Sequence, residues 1–273
     1  MDTVSSGWFT RVTRVRVTLC YAILVAAVTA VMMRLAPDTQ AALIRHSSTN
    51  LHNLGHGRFG TLVGSAFVVD AGPIYLWLPG LVCLLAVAEL AWGGYRLLIA
   101  AVTGHVGASL IVAAGLAAAV KLGWTARSVA HEPDVGMSYV AMSALGALTG
   151  ALPVRWRFAW AGWWFGVAMV VAAEGPDFTD VGHILALTLG LLVSLRFGAA
   201  RRWNVPAVVL LTFGAAFGYL VLTDSIVTMV FGAAWGALGA LAVHSFARLR
   251  TFGDEEKGAS LWEAPFQSRV TGR

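Results

Sequence analysis

Charge is scarce in this chain. Of 273 residues only 12% are Asp, Glu, Lys or Arg, against 58% hydrophobic, and the mean hydropathy is +0.73. So few polar groups cannot cover so much apolar surface, which excludes a water-soluble globule and leaves a chain whose solvent is lipid. Cysteine is almost missing. Cys20 and Cys83 both lie inside apolar runs, which excludes a disulfide framework and a CxxC metal or redox pair. A concentrated basic patch is missing too, although the net charge is +5 and the pI about 9.7. The basic residues sit instead at the ends of apolar runs, where they orient spans, and no nucleic-acid partner is implied.

What the chain does have is long apolar runs. Spans are expected at 17–33, 74–92, 97–120, 135–152, 156–173, 181–195, 205–222 and 226–247, most of them close to the roughly 20 residues that cross a bilayer as a helix. Only Thr223, Asp224 and Ser225 separate the last two, and eight spans are favoured over seven. Arg11, Arg14 and Arg16 before the first run have the look of a signal peptide, but no small-x-small cleavage site follows cleanly, and the run reads as a first span. The expected fold class is all-α, a polytopic membrane helix bundle.

Lys and Arg are retained on the cytoplasmic side of a membrane. With the N-terminus inside, the inner connections hold Arg96, Arg155, Arg157, Arg196, Arg201 and Arg202, and the tail holds Arg248, Arg250 and Lys257. The outer connections hold Glu132, Asp134, Glu174, Asp177, Asp180 and Asp224. This predicts a multi-pass plasma-membrane protein with both termini cytoplasmic and a polar, mobile tail after Arg250. The outer connection 34–73 is long and partly apolar, notably over 59–63 and 65–69. An amphipathic loop lying in the interface and packed on the bundle is expected there.

Inside a bilayer an ionisable or nucleophilic side chain is costly unless it is paired or lines a wet cavity. Glu89, His105, Ser109, Ser138, Ser143, His183 and His244 therefore each need a role. Ser138 follows Gly136-Met137 near the outer end of the fourth span, and His183 follows Asp180-Val181-Gly182 near the outer end of the sixth. Both spans run in the same direction, so the two side chains share a depth about one turn below the surface. Gly182, Ala186 and Gly190 in the sixth span, with Gly146 and Gly150 in the fourth, form small-residue stripes that let helices approach closely. A serine beside a neutral histidine is the minimal activated nucleophile. The plainer reading is a serine bonded back to its own helix and a histidine bridging two helices.

Glu89 is expected to tie to Arg96, and His105 to be a packing histidine. His46, His52 and His56 lack the acidic or cysteine ligands of a zinc site, so neither a metal nor a cofactor is expected. Trp156, Trp160, Trp163 and Trp164 read as an interfacial aromatic belt.

The pair Gly136-Met137-Ser138 and Gly182-His183-Ile184-Leu185-Ala186-Leu187-Thr188-Leu189-Gly190 resembles the serine and histidine signatures of rhomboid intramembrane proteases. Glu89-Leu90-Ala91-Trp92-Gly93-Gly94-Tyr95-Arg96 is similar to the stretch ending that family's second span, and Ser65-Ala66-Phe67-Val68-Val69-Asp70-Ala71-Gly72 to the close of its long first loop. The resemblance covers about 17–195. It implies a six-helix core with about two extra C-terminal spans, Ser138 as nucleophile and His183 as general base, in a water-filled cavity opening outward. Rhomboids cleave membrane-anchored proteins at or near the membrane surface. The chain departs from the family at Tyr139, where glycine or alanine is usual, and at 70–79, which carries no His-xxx-Asn pair to help hold an oxyanion.

The resulting division is a cytoplasmic N-terminus at 1–16, a rhomboid-like core at 17–197, additional helices at 198–247 and a cytoplasmic tail at 248–273. The resemblance implies a serine-type intramembrane endopeptidase acting on a membrane-anchored protein substrate. The alternative is a non-catalytic relative that binds or escorts such a client, favoured by Tyr139 and the missing pair. A transporter would call for inverted repeats or broken helices, and no internal repeat is evident.

Overall fold

The computed structural model describes residues 13–69, 73–175, 177–198 and 203–263, with backbone alone from 247 onward. Arg11, Asp70, Gly72, Arg201 and Arg202, and the side chains of Arg248, Arg250 and Lys257, lie outside the described residues. Within them the regular structure is helical. A 3-10 turn, Thr13–Val15, leads into α1 (Arg16–Met32). Three short helices follow in the long first connection: α2 (Pro37–Ser47), α3 (Leu51–Gly55) and α4 (Thr61–Gly64). Then come α5 (Ile74–Trp92), α6 (Gly94–Lys121), α7 (Ser138–Ala151), α8 (Val154–Ala173), α9 (Phe178–Ser194), α10 (Val205–Leu222) and α11 (Ile226–Glu263).

Eight long helices thus stand where eight apolar runs were read. Among the described residues five stretches are long and apolar enough to cross a membrane: Thr13–Met32, Ile74–Trp92, Gly94–Lys121, Val205–Leu222 and Ile226–Phe246. Phe178–Ser194 is a shorter apolar helix. The helix ends follow local chemistry. Gly93, at φ 88°, breaks α5 from α6 in a conformation that favours glycine. Asp177 and Asp180 form a reciprocal capping box at the start of α9. Asn204 caps α10 through the Ala207 amide at 3.0 Å, with Pro206 in the first turn. Pro153 stops α7, since the residue before a proline avoids the helical conformation.

The core is built around α7, which is buried along nearly its whole length between α5, α6 and α9. α7 and α9 run parallel and in close contact. A Cβ added at Gly146 would overlap the Leu187 carbonyl oxygen, and one at Gly190 the Ser143 carbonyl oxygen, so these positions admit only hydrogen. Ser143 also donates to the Ala100 carbonyl at 2.6 Å, fastening α7 to α6. The expected small-residue stripes therefore lie at the helix contact.

Two features differ from expectation. The stretch after Arg250 continues as helix through Glu263, because Glu255, Glu256, Lys257 and Ala259 are good helix formers and extension of an existing helix needs no new nucleus. Glu89, expected to tie to Arg96, accepts from the Val17 amide at 3.0 Å, the Thr18 amide at 2.8 Å and the Thr18 hydroxyl at 2.7 Å. It caps α1 from the side, a use of a carboxylate that satisfies otherwise orphaned amides. No ion pair between Glu89 and Arg96 occurs among the described residues.

The last two helices do not pair along their length. α10 lies on α5, where Gly214 faces Leu84, and reaches α7 where Gly218 faces Leu145. α11 lies on α8, with Gly162 and Gly166 facing the backbone of Gly239 and Trp235.

Candidate functional site

Ser138 is the first residue of α7 and is half-buried. The chain reaches it through Gly136, whose φ of 132° lies where side chains are rarely tolerated. No side chain caps α7 among the described residues. Its first amides have no intrahelical acceptor, and the positive end of the helix dipole lies beside the Ser138 hydroxyl. α7 holds 14 residues, a length of about 21 Å at 1.5 Å per residue. That is short of the roughly 30 Å hydrocarbon slab. Arg155 and Arg157 follow the C-terminal end and belong at an interface, so the Ser138 end is submerged.

His183 lies on α9 at the same level, because the parallel register sets Tyr139 against Gly182 and His183. The imidazole is buried, and neither ring nitrogen has a hydrogen-bond partner among the described residues. Ser138 and His183 are thus at one end of one helix pair, and no hydrogen bond joins them among the described residues. The side chain that meets the imidazole is Tyr139, edge-on at 5.5 Å between ring centroids and 87° between planes. Across the same tyrosine stands His105, at 6.0 Å.

His105 was read as a packing histidine and is buried, but it also belongs to a polar chain. Its Nε2 lies 3.1 Å from the Ser65 hydroxyl, which lies 2.8 Å from the Thr49 hydroxyl. Thr49 also donates to the Thr61 carbonyl at 2.9 Å. The same loop holds the entry to α7. The Asp134 amide donates to the Ser48 hydroxyl at 2.7 Å, the Thr49 amide to the Asp134 carbonyl at 3.0 Å, and the Gly136 amide to the Ser65 carbonyl at 2.9 Å. The long first connection is therefore a cap bonded onto the site. Burial pushes the Asp134 carboxyl up to about 6, an effect the nearby Tyr139 hydroxyl partly offsets.

Beside this cluster, an apolar cavity of about 160 Å³ is lined by Tyr21, Phe67, Ala101, His105 and Val140. Ser109 is buried with its hydroxyl unpartnered among the described residues. The histidines of the first connection fall apart as a set. His52 lies tilted against His56 at 4.3 Å and against His131 at 4.6 Å, while His46 makes no ring contact among the described residues. No group of His, Cys, Asp or Glu able to hold a metal ion occurs among the described residues. In the sequence Asp134 stands four residues before Ser138 and Ser65 lies in a family-like stretch, but their contacts, and any part for Thr49, were not read. Those contacts cross the long first connection, and a single sequence carries no signal of them.

The fold and this cluster define a multi-pass α-helical membrane protein with a polar site at the buried start of one short helix. A family model described as rhomboid-like protein matches residues 12–217, and the chain belongs to that family. The match runs beyond α9 into α10. No curated protein and no solved structure matches the chain.

Proposed function

We propose that the protein is an intramembrane serine endopeptidase that cleaves membrane-anchored proteins, with Ser138 as nucleophile and His183 as general base. The observation that carries this reading is the pairing of levels on α7 and α9. It puts a hydroxyl at an uncapped helix N-terminus and an imidazole with both nitrogens free at one end of a tight helix pair. In the reaction the Ser138 Oγ attacks the scissile carbonyl while a nitrogen of His183 takes its proton. The oxyanion gathers at the first amides of α7, which stand in for side-chain donors. Collapse passes the proton to the leaving amine, and water then hydrolyses the ester on Ser138. Removing one oxyanion donor costs about 100- to 1,000-fold in such enzymes, so a hole made of backbone amides alone implies slow turnover.

A second reading is a non-catalytic relative that binds or escorts membrane proteins. The Tyr139 ring against His183 and the apolar cavity beside His105 favour it. The proposed layout is a rhomboid-like core over 17–197, two added helices over 198–247 and a cytoplasmic tail from 248. Both termini are proposed to be cytoplasmic, at the plasma membrane. The experiment is labelling of the detergent-solubilised protein with a fluorophosphonate, comparing wild type with Ser138→Ala and His183→Ala. Labelling that both substitutions abolish establishes the activated serine. A folded wild-type sample that does not label removes the protease reading and leaves client binding.

A further inference from the structure

Because α10 leans on α5 and α11 on α8, a crevice opens between them with α8 as its floor. Its volume is about 520 Å³, inside the roughly 300–1,000 Å³ range of ligand pockets. Its walls are almost wholly apolar and include Trp156, Trp160, Trp163, Ala216, Tyr219 and Ala240. The tryptophans read as an aromatic belt thus form a concave surface rather than a flat girdle. At one end of the crevice the Tyr219 hydroxyl donates to the Met229 carbonyl, tying α10 to α11 and closing it.

The other end carries charge. Arg155 lies over the Trp156 ring, 5.8 Å from its centroid, and Arg157 donates to the carbonyl of Leu152, itself a lining residue. Neither arginine has an ion-pair partner among the described residues. An apolar body and a negative charge at the arginines are together required of the occupant.

We infer that this crevice is a binding site for an anionic glycerophospholipid of the arginine-side leaflet. One acyl chain lies along the tryptophans and the phosphate sits at Arg155 and Arg157. Phosphatidylcholine lacks the net charge and is the discriminating competitor.

The test is native mass spectrometry of the full chain in detergent, titrated with phosphatidylglycerol or phosphatidylcholine. Wild type is expected to hold one phosphatidylglycerol at lower concentration than phosphatidylcholine. Ala216→Leu with Ala240→Leu, which fills the crevice from two walls, is expected to lose that adduct. Arg155→Gln, at an exposed position that leaves the fold untouched, is expected to weaken phosphatidylglycerol about five-fold and phosphatidylcholine little. Equal binding of the two lipids by wild type overturns the inference, as does a phosphatidylglycerol adduct unchanged in both variants. If the filled variant does not fold, the lipid preference of wild type and of Arg155→Gln decides.

Discussion

Glu89 gives one carboxylate to three donors at the start of α1 and is itself buried. Glu89→Ala leaves two amides and a buried hydroxyl unsatisfied and is expected to cost about 3 kcal/mol. Thermal unfolding in detergent reads this directly, and a melting temperature within error of wild type would show that the cap is dispensable. Asp134 makes a different prediction. Its folded pKa, about 6, lies above its ordinary value of 3.8. Between these values the unfolded chain has released its proton and the folded protein still holds it, so stability falls as pH rises through that window. Wild type is expected to lose on the order of 2 kcal/mol from pH 4 to pH 6 relative to Asp134→Asn, which cannot titrate. Parallel pH–melting curves for the two proteins would refute it. The exposed His52 moves the other way: partial desolvation by its neighbours, then the charges of His56, His131 and Arg58, hold its pKa below the usual value.

Among elements, the α7–α9 contact is the one on which the site depends. Gly190→Leu drives a side chain into the Ser143 backbone and is expected to abolish cooperative unfolding and, on the proposed function, fluorophosphonate labelling. Gly115→Ala on α6 is the control, because a Cβ there meets nothing within 4 Å. It should be neutral or stabilise by up to about 1 kcal/mol. If Gly190→Leu melts like wild type, the close contact of the two helices is wrong. Elements were the most legible level of the sequence. The apolar run read at 74–92 is α5, and that at 205–222 is α10, because hydropathy reports lipid contact directly. α7 was read three residues early, at 135, since Val135 and Met137 are apolar yet belong to the entry loop, which hydrogen-bonds to the first connection. The helix beyond Arg250 was missed because its composition suits a solvated helix as well as a coil.

For the whole molecule, topology is the open quantity with the simplest measurement. Single cysteines at Ser5→Cys or Ser268→Cys, in a chain with Cys20→Ala and Cys83→Ala, are expected to resist a membrane-impermeant maleimide in intact cells and react after lysis. Reaction of either in intact cells would reverse or split the proposed orientation. The candidate pair Ser138 and His183 was legible from small residues at four-residue intervals and from its likeness to a family motif. The group around it was not. Tyr139 was visible only as an odd neighbour of the serine, and its place between His105 and His183 depends on the packing of three helices. Glu89 was misread because Arg96 is near in sequence, whereas Thr18, 71 residues away, is near in space.

The shortness of α7 also governs how the protein is made. A helix of 14 residues is too brief to hold a stable transmembrane position alone in a slab about 30 Å thick, and α9 supplies the wall against which it settles. A nascent chain halted between residues 152 and 177 therefore leaves the Ser138 segment unplaced, and the segment becomes fixed only once the stretch bearing His183 has left the ribosome and entered the membrane. Biogenesis thus keeps Ser138 from being set in place before His183, and chains truncated short of α9 should be cleared by quality-control proteolysis rather than accumulate half-built.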